Sequence, residues 1–453
     1  MTRFIFYIMI TLSQPGLARP CKSPHEGASF AKIFRQQINK VDPELENNIH
    51  HFGEPEKNLV RQHPAQPPLF IVFPAFAHEM AGRIIGYPSL YESSYSKELE
   101  KLRRQNRRRY SGLLIGEVPL CNDKVGYLAL LRPIIRGETL GKVNSWHQQH
   151  IIRIKNLLKA FPNLQRTDIY FVGFSYGSAR ALDLIATLNK AEDQAQLQRL
   201  IKGVISINGA LWGSIADFSL VPDTPIQQIT QNLQTITELN HSLGGWLTYG
   251  KTIGTLARQT YKLLKTHNKL PENINVPLPH IAKLARLVLE PYFFIPQHQN
   301  YPQQVMERVQ NFIGLLDSGR LSLTSEERTN WFANHELPDK IRYLYINSQL
   351  DHGQVSSSLE DYISNLASTT LVNHKWLDTN DGWVSIKQSS FNPKRHQQLN
   401  PRQKPYKATF LARLATDHIA PITGSLTIDA EARRKDQLDQ VLLKSLMIYV
   451  SQK

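Results

Sequence analysis

The chain has 453 residues, 41% apolar and 9% aromatic, enough for one large α/β domain with insertions or for two domains. Its formal net charge of +15 favours anionic partners such as a membrane surface. No nucleic-acid-binding module accompanies that charge, so no nucleic acid is expected as a partner.

The chain begins with a basic Met1-Thr2-Arg3, followed by an apolar run from Phe4 to Leu12. That run has the length of a signal-peptide core and is too short to span a bilayer as a helix. Gly16 and Ala18 then supply the small residues of a cleavage site after Ala18. Residues 1–18 are therefore expected to be a signal peptide and the protein to be secreted or periplasmic; the alternative is a buried N-terminal strand. No other segment has the long uncharged run of a transmembrane helix. Both cysteines, Cys21 and Cys121, survive cleavage, and either a disulfide between them or two separate thiols fits an oxidising compartment. Residues 19–66 read as a polar lead-in of helix and loop. The densest basic stretch, Lys101 to Tyr110, reads as a solvated face rather than a dedicated site.

The core starts at Pro68-Leu69-Phe70-Ile71-Val72-Phe73, a continuous apolar run of the kind a buried parallel strand needs. Further strands are expected at Ser111–Gly116, Asp168–Val172, Leu200–Ile207 and Ile341–Asn347. Helices are expected at about 145–160, 179–188 and 430–450. This alternation predicts a doubly wound, mostly parallel sheet. Residues 222–338 break the pattern. They are helix-like, with apolar faces over 281–289 and 305–316, and lack clear buried strands.

Between the third of these strands and the helix after it lies Gly173-Phe174-Ser175-Tyr176-Gly177. Strand, Gly-x-Ser-x-Gly, helix is the context of a nucleophile elbow, in which a serine sits on a sharp turn and the flanking glycines let strand and helix approach. A serine hydroxyl is a weak nucleophile. It needs a histidine to take its proton and a carboxylate to hold that histidine's tautomer. Downstream acids that qualify are Asp351, in Gln349-Leu350-Asp351-His352, and Asp381, in Asn380-Asp381-Gly382-Trp383-Val384. Downstream histidines are His352, His374, His396 and His418. His396 sits among Lys394 and Arg395 and reads as solvent-exposed; His418 is late, on a loop-like stretch before the last helix.

The elbow resembles that of the α/β-hydrolase superfamily. Asn380-Asp381-Gly382-Trp383-Val384 looks like the Asn-Asp-Gly-Leu-Val motif of secreted bacterial triacylglycerol lipases, with Trp383 in the Leu place. Asn208-Gly209-Ala210-Leu211-Trp212-Gly213-Ser214, followed by Ala216-Asp217, looks like their Ala-Pro-His-x-Gly-Ser…Ala-Asp segment, with Leu211 and Trp212 in place of Pro-His. The resemblance implies the chain order Ser, Asp, His, and so Ser175 as nucleophile, Asp381 as acid ahead of Asp351, and His418 as base. It implies an oxyanion hole of backbone N–H groups from Tyr176 and from the loop after the first core strand, where Phe76 is the first choice and Ala75 the next. That loop, Pro74-Ala75-Phe76-Ala77, departs from the usual His-Gly. The resemblance also implies a core over 67–221 and 339–453 and a helical cap over 222–338, inserted before the last core strands. The lipases' calcium ligand corresponds to Ala420, and there is no cysteine–histidine cluster, so no metal or cofactor is expected. The implied function is hydrolysis of carboxylic, lipid-like esters. Two other readings stay open: an effector-type binding module on this scaffold, and another acyl-transfer enzyme such as a thioesterase, peptidase or acyltransferase.

Overall fold

The computed structural model describes residues 28–54, 67–75, 113–120, 125–131, 134, 138–144, 146–191, 194–214, 318–349, 380–381, 383–416, 418 and 438–452. Cys21, Cys121, residues 1–18 expected to form a signal peptide, the basic stretch 101–110, Phe76, Asp351 and residues 222–317 lie outside them.

The strands of the described residues are β1 (Ile49–Phe52), β2 (Pro68–Phe73), β3 (Leu113–Pro119), β4 (Val125–Leu131), β5 (Asp168–Phe174), β6 (Ile201–Ile207), β7 (Arg342–Ser348) and β8 (Ala408–Leu414). They form one eight-stranded sheet in the order β1-β8-β7-β6-β5-β2-β4-β3. From β4 through β2, β5, β6 and β7 to β8 every pairing is parallel. The outermost strands, β3 on β4 and β1 on β8, are antiparallel. Parallel neighbours need crossover connections, which helices supply. The helices of the described residues are α1 (Phe30–Val41), which precedes β1, α2 (His147–Ala160), α3 (Tyr176–Lys190), α4 (Ala195–Leu200), α5 (Ser325–Asn334), α6 (Ile386–Ser389) and α7 (Pro393–Leu399) between strands, and α8 (Leu438–Val450), which follows β8.

The strand sequences explain why both faces are covered. Successive side chains point to opposite faces. In β2, Phe70 and Val72 join one core cluster while Leu69, Ile71 and Phe73 join the other; in β5, Tyr170, Val172 and Phe174 part in the same way from Ile169 and Phe171. The first cluster is closed by α1 (Phe30, Ile33, Phe34, Ile38) and α8 (Val441, Leu442, Leu446, Val450). The second is closed by α2 (Ile151, Ile154, Leu157, Leu158) and α3 (Leu182, Leu184, Ile185, Leu188). Strands apolar on both faces are stable only between two helix layers, each buried Val, Leu, Ile or Phe contributing about 1.5–3 kcal/mol.

The lead-in is less detached than its polar composition suggests. Helix α1 is capped by Ser29, whose Oγ accepts from the Lys32 N–H at 3.3 Å. Its Phe30 ring meets Tyr449 of α8 edge-on at 5.8 Å. Strand β1, not expected from sequence, pairs with β8, so this segment is part of the sheet. β4 and β8 were likewise not expected, and the strand expected over 111–116 is described over Leu113–Pro119. The described end of the 222–338 segment contains α5, which packs on the core: the Phe332 ring stacks on Trp212 at 3.8 Å.

Candidate active site

β5 passes into α3 through a single residue, Ser175, with φ 53° and ψ −122°. A serine seldom adopts positive φ, and such backbone strain persists only where its surroundings over-determine it. The surroundings are specific. The Ser175 N–H donates to the Ile207 carbonyl at 3.0 Å, and the Ser175 carbonyl accepts from the N–H groups of Ser178 (3.0 Å) and Ala210 (3.2 Å). A Cβ on Gly173 would lie 2.3 Å from Ser178 Cα. A Cβ on Gly177 would lie 2.1 Å from the Phe73 carbonyl oxygen and 2.8 Å from that of Pro74. Only glycine permits these approaches, and they press the Pro74–Ala75 loop against the elbow. Ser175 itself is half-buried. Tyr176 is the first residue of α3, so its backbone N–H sits at the positive end of the helix dipole. Its buried ring is pinned by the phenol donating to the Gly141 carbonyl at 2.8 Å.

Asp381 and His418 meet beside this turn. His418 Nδ1 lies 2.7 Å from Asp381 Oδ2, with both residues buried. The other carboxylate oxygen, Oδ1, accepts from the backbone N–H groups of Trp383 (3.0 Å) and Val384 (2.8 Å). The His418 N–H in turn donates to the Asp381 carbonyl at 3.0 Å. The carboxylate is thus held at both oxygens and fixes the imidazole through Nδ1, leaving Nε2 for other work. Phe174, the residue before Ser175, lays its ring 5.2 Å from the His418 ring. No hydrogen bond joins Ser175 Oγ to the imidazole among the described residues; such contacts commonly tighten only when substrate binds. Val384 packs with Tyr176, Ala179, Ala210, Val143 and Leu323, tying the acid's loop to the start of the elbow helix.

A parallel sheet whose central strand delivers a strained serine to a helix N-terminus, with an aspartate and a histidine on loops beyond the later strands, leaves one assignment. This is the α/β-hydrolase fold.

No protein-family model and no curated protein sequence matches the chain. Among solved structures, a metagenomic carboxyl esterase is similar over 94% of this chain and 91% of its own, with a TM-score of 0.45 and 14% identity. The lipase of Staphylococcus hyicus is similar over 86% of this chain and 98% of its own, with a TM-score of 0.35 and 15% identity. EstA from Clostridium botulinum is similar over 94% and 98%, with a TM-score of 0.34 and 14% identity.

Of the residues expected on this α/β-hydrolase scaffold, Ser175, Tyr176, Asp381 and His418 gather at one end of the sheet, while Phe76 and the alternative acid Asp351 lie outside the described residues. The exposure expected for His396 is corrected: it lies on α7, fully buried, with Nε2 2.9 Å from the His335 carbonyl and its ring against Phe332 and Tyr406. Helical spacing turns Lys394 and Arg395 outward and His396 in.

Sequence reasoning missed two features that hold the hydrolase elbow. The first is Asn208, just past β6. It adopts φ 47°, its N–H donates to the Ile346 carbonyl at 2.9 Å, and its Nδ2 donates to the His418 carbonyl at 3.0 Å. Its side chain therefore ties the histidine loop to the end of β6, where the Ile207 carbonyl accepts the Ser175 N–H. The Asn-Gly pair after a buried strand signals a turn, but nothing local points to His418. Replacing Asn208 by Gly, which tolerates the same φ, is expected to lower kcat by about 10- to 100-fold through misplacement of the imidazole, with KM little changed; a kcat within twofold of wild type would remove Asn208 from this role. The second feature is a buried charged cluster behind the elbow. Arg180 of α3 donates to Glu138 Oε1 at 2.5 Å, and His150 Nε2 lies 2.5 Å from the same oxygen. Burial alone would push the Glu138 carboxyl up; the His150 hydrogen bond and the Arg180 charge outweigh it and hold it at about 2. Burial likewise pushes His150 down. Further along α3, Asp183 bonds His147 and the Trp331 indole N–H, fastening α3 to α2 and α5.

Proposed function

We propose that the protein is a serine hydrolase of carboxylic esters, lipid-like ones above all. The observation that carries the reading is the hydrogen-bonded Asp381–His418 pair lying against the strained Ser175 turn. Ser175 Oγ attacks the acyl carbon while His418 Nε2 takes its proton. Asp381 stabilises the imidazolium that forms. The carbonyl oxygen becomes an oxyanion facing the Tyr176 N–H and a second N–H from the Pro74–Ala77 loop, with Phe76 as its donor. As the tetrahedral intermediate collapses, the C–O bond to the alcohol breaks and the imidazolium proton leaves with that alcohol. Water, deprotonated by the same histidine, attacks the acyl-enzyme and releases the acid, restoring Ser175. In the same reading residues 1–18 direct export, residues 222–338 cover the site as a cap, and the positive charge favours an anionic membrane surface.

The experiment is covalent labelling by a fluorophosphonate, which reports an activated serine whatever the ester preferred. The wild-type chain is expected to label at Ser175, and Ser175→Ala to lose both the label and hydrolysis of short p-nitrophenyl esters. Undiminished labelling of Ser175→Ala would move the nucleophile elsewhere, and an unlabelled wild type would favour a binding module on this scaffold.

A further inference from the structure

Two aromatic rings of quite different character lie near the His418 imidazole. Phe174 lies 5.2 Å away at 33° and is buried. Trp383 lies 6.2 Å away at 31° and is 38% exposed. The large apolar side chains most exposed among the described residues are Val41, Ile152, Leu321 and Trp383, and of these Trp383 alone adjoins a group proposed to react. Its backbone is fixed, since its N–H donates to Asp381 Oδ1 and the next residue, Val384, is buried in the cluster with Tyr176. An indole on so fixed a backbone is an apolar wall beside the base, left open to whatever approaches it.

Resting on the proposed serine mechanism, we infer that Trp383 is a specificity-determining residue that contacts the alcohol part of the ester. During acylation His418 Nε2 must give its proton to the leaving oxygen, which brings that oxygen within about 3 Å of the imidazole. The first carbons of the alcohol then lie within van der Waals reach of a ring that flanks the same imidazole. The acyl chain, bonded to the carbon under attack at Ser175, extends away from that oxygen. Trp383 therefore reads the alcohol rather than the acid. A large apolar alcohol, aryl or long-chain, covers the exposed indole face and gains contact area; a methyl group gains almost none. That contact is lost once the alcohol departs, so it acts on acylation and not on hydrolysis of the acyl-enzyme.

The test compares two acetates that form the same acyl-enzyme, 2-naphthyl acetate and methyl acetate, on the full chain. The quantity read is the ratio of their kcat/KM values in wild type, Trp383→Phe and Trp383→Ala. The ratio is expected to fall about tenfold in Trp383→Ala and by less in Trp383→Phe, whose ring keeps part of the wall. Intrinsic leaving-group reactivity cancels because each variant is compared with wild type on the same pair. A ratio unchanged within twofold in Trp383→Ala, or one that rises, overturns the assignment. Fluorophosphonate labelling of the same preparations separates the two levels: labelled protein with an unchanged ratio refutes the role of Trp383 alone, whereas unlabelled wild type refutes the serine mechanism beneath it.

Discussion

Asp381→Asn is expected to lower kcat on a p-nitrophenyl ester by about 10⁴-fold while leaving the fold intact. The amide keeps an oxygen at the Oδ1 position, where the N–H groups of Trp383 and Val384 need an acceptor at 3.0 and 2.8 Å. The Asp381 loop therefore has no reason to move. What changes lies across the 2.7 Å contact to His418 Nδ1. An amide that presents its NH₂ group there holds the imidazole with its proton on Nε2, the tautomer unable to take a proton from serine. Steady-state kinetics with a circular-dichroism melt would check both halves. A kcat within tenfold of wild type, with the melt unchanged, would exclude Asp381 as the acid and pass the role to Asp351.

The second large effect is on folding. Gly177→Ala is expected to destabilise the protein by about 3 kcal/mol, at the top of the range for overpacking, and to abolish measurable turnover. The added methyl meets backbone, the Phe73 oxygen at 2.1 Å and the Pro74 oxygen at 2.8 Å, so no side-chain rotation relieves it. Relief requires β2 and α3 to part at the point where Ser175 is held. Gly126→Ala in β4 is the control. There the nearest atom is the Sδ of Met447 at 3.0 Å, the end of a flexible side chain, and the cost is expected to stay within about 1 kcal/mol. Equal melting temperatures for the two variants would mean that the elbow is not held as tightly as these distances imply.

Legibility in the sequence followed how locally each feature is encoded. The runs Pro68–Phe73, Asp168–Phe174, Ile201–Ile207 and Arg342–Ser348 are apolar on both faces because both faces are covered, and continuous apolar runs stand out. β8 does not: Ala408-Thr409-Phe410-Leu411-Ala412-Arg413-Leu414 is interrupted by Arg413, whose Nε finds Asn347 Oδ1 at 3.3 Å. β1, Ile49-His50-His51-Phe52, has only its edge pairing to make it a strand. At the site, Ser175 was legible because its strain needs glycines at fixed offsets. The Asp381–His418 pairing was legible through a motif and chain order. Asn208 was not, because its acceptor is the His418 carbonyl, far along the chain and brought close by the sheet. His396 shows the converse: a neighbourhood rich in charge along the sequence becomes buried once a helix sorts its faces.

The edge pairing carries a consequence for the order of events during synthesis. Ile49 pairs with Leu414, and Phe30 packs on Tyr449, so the first described segment of the chain is completed by the last. Until β8 has been made, β1 has no partner and α1 has no helix to lie against. Closing a contact across nearly the whole chain is slow, and it exposes unpaired strand backbone in the meantime. The first and last described segments are thus a clasp that shuts late, and β8, the strand that shuts it, runs toward His418. Assembly of the site is thereby deferred until β8 and His418 have been made.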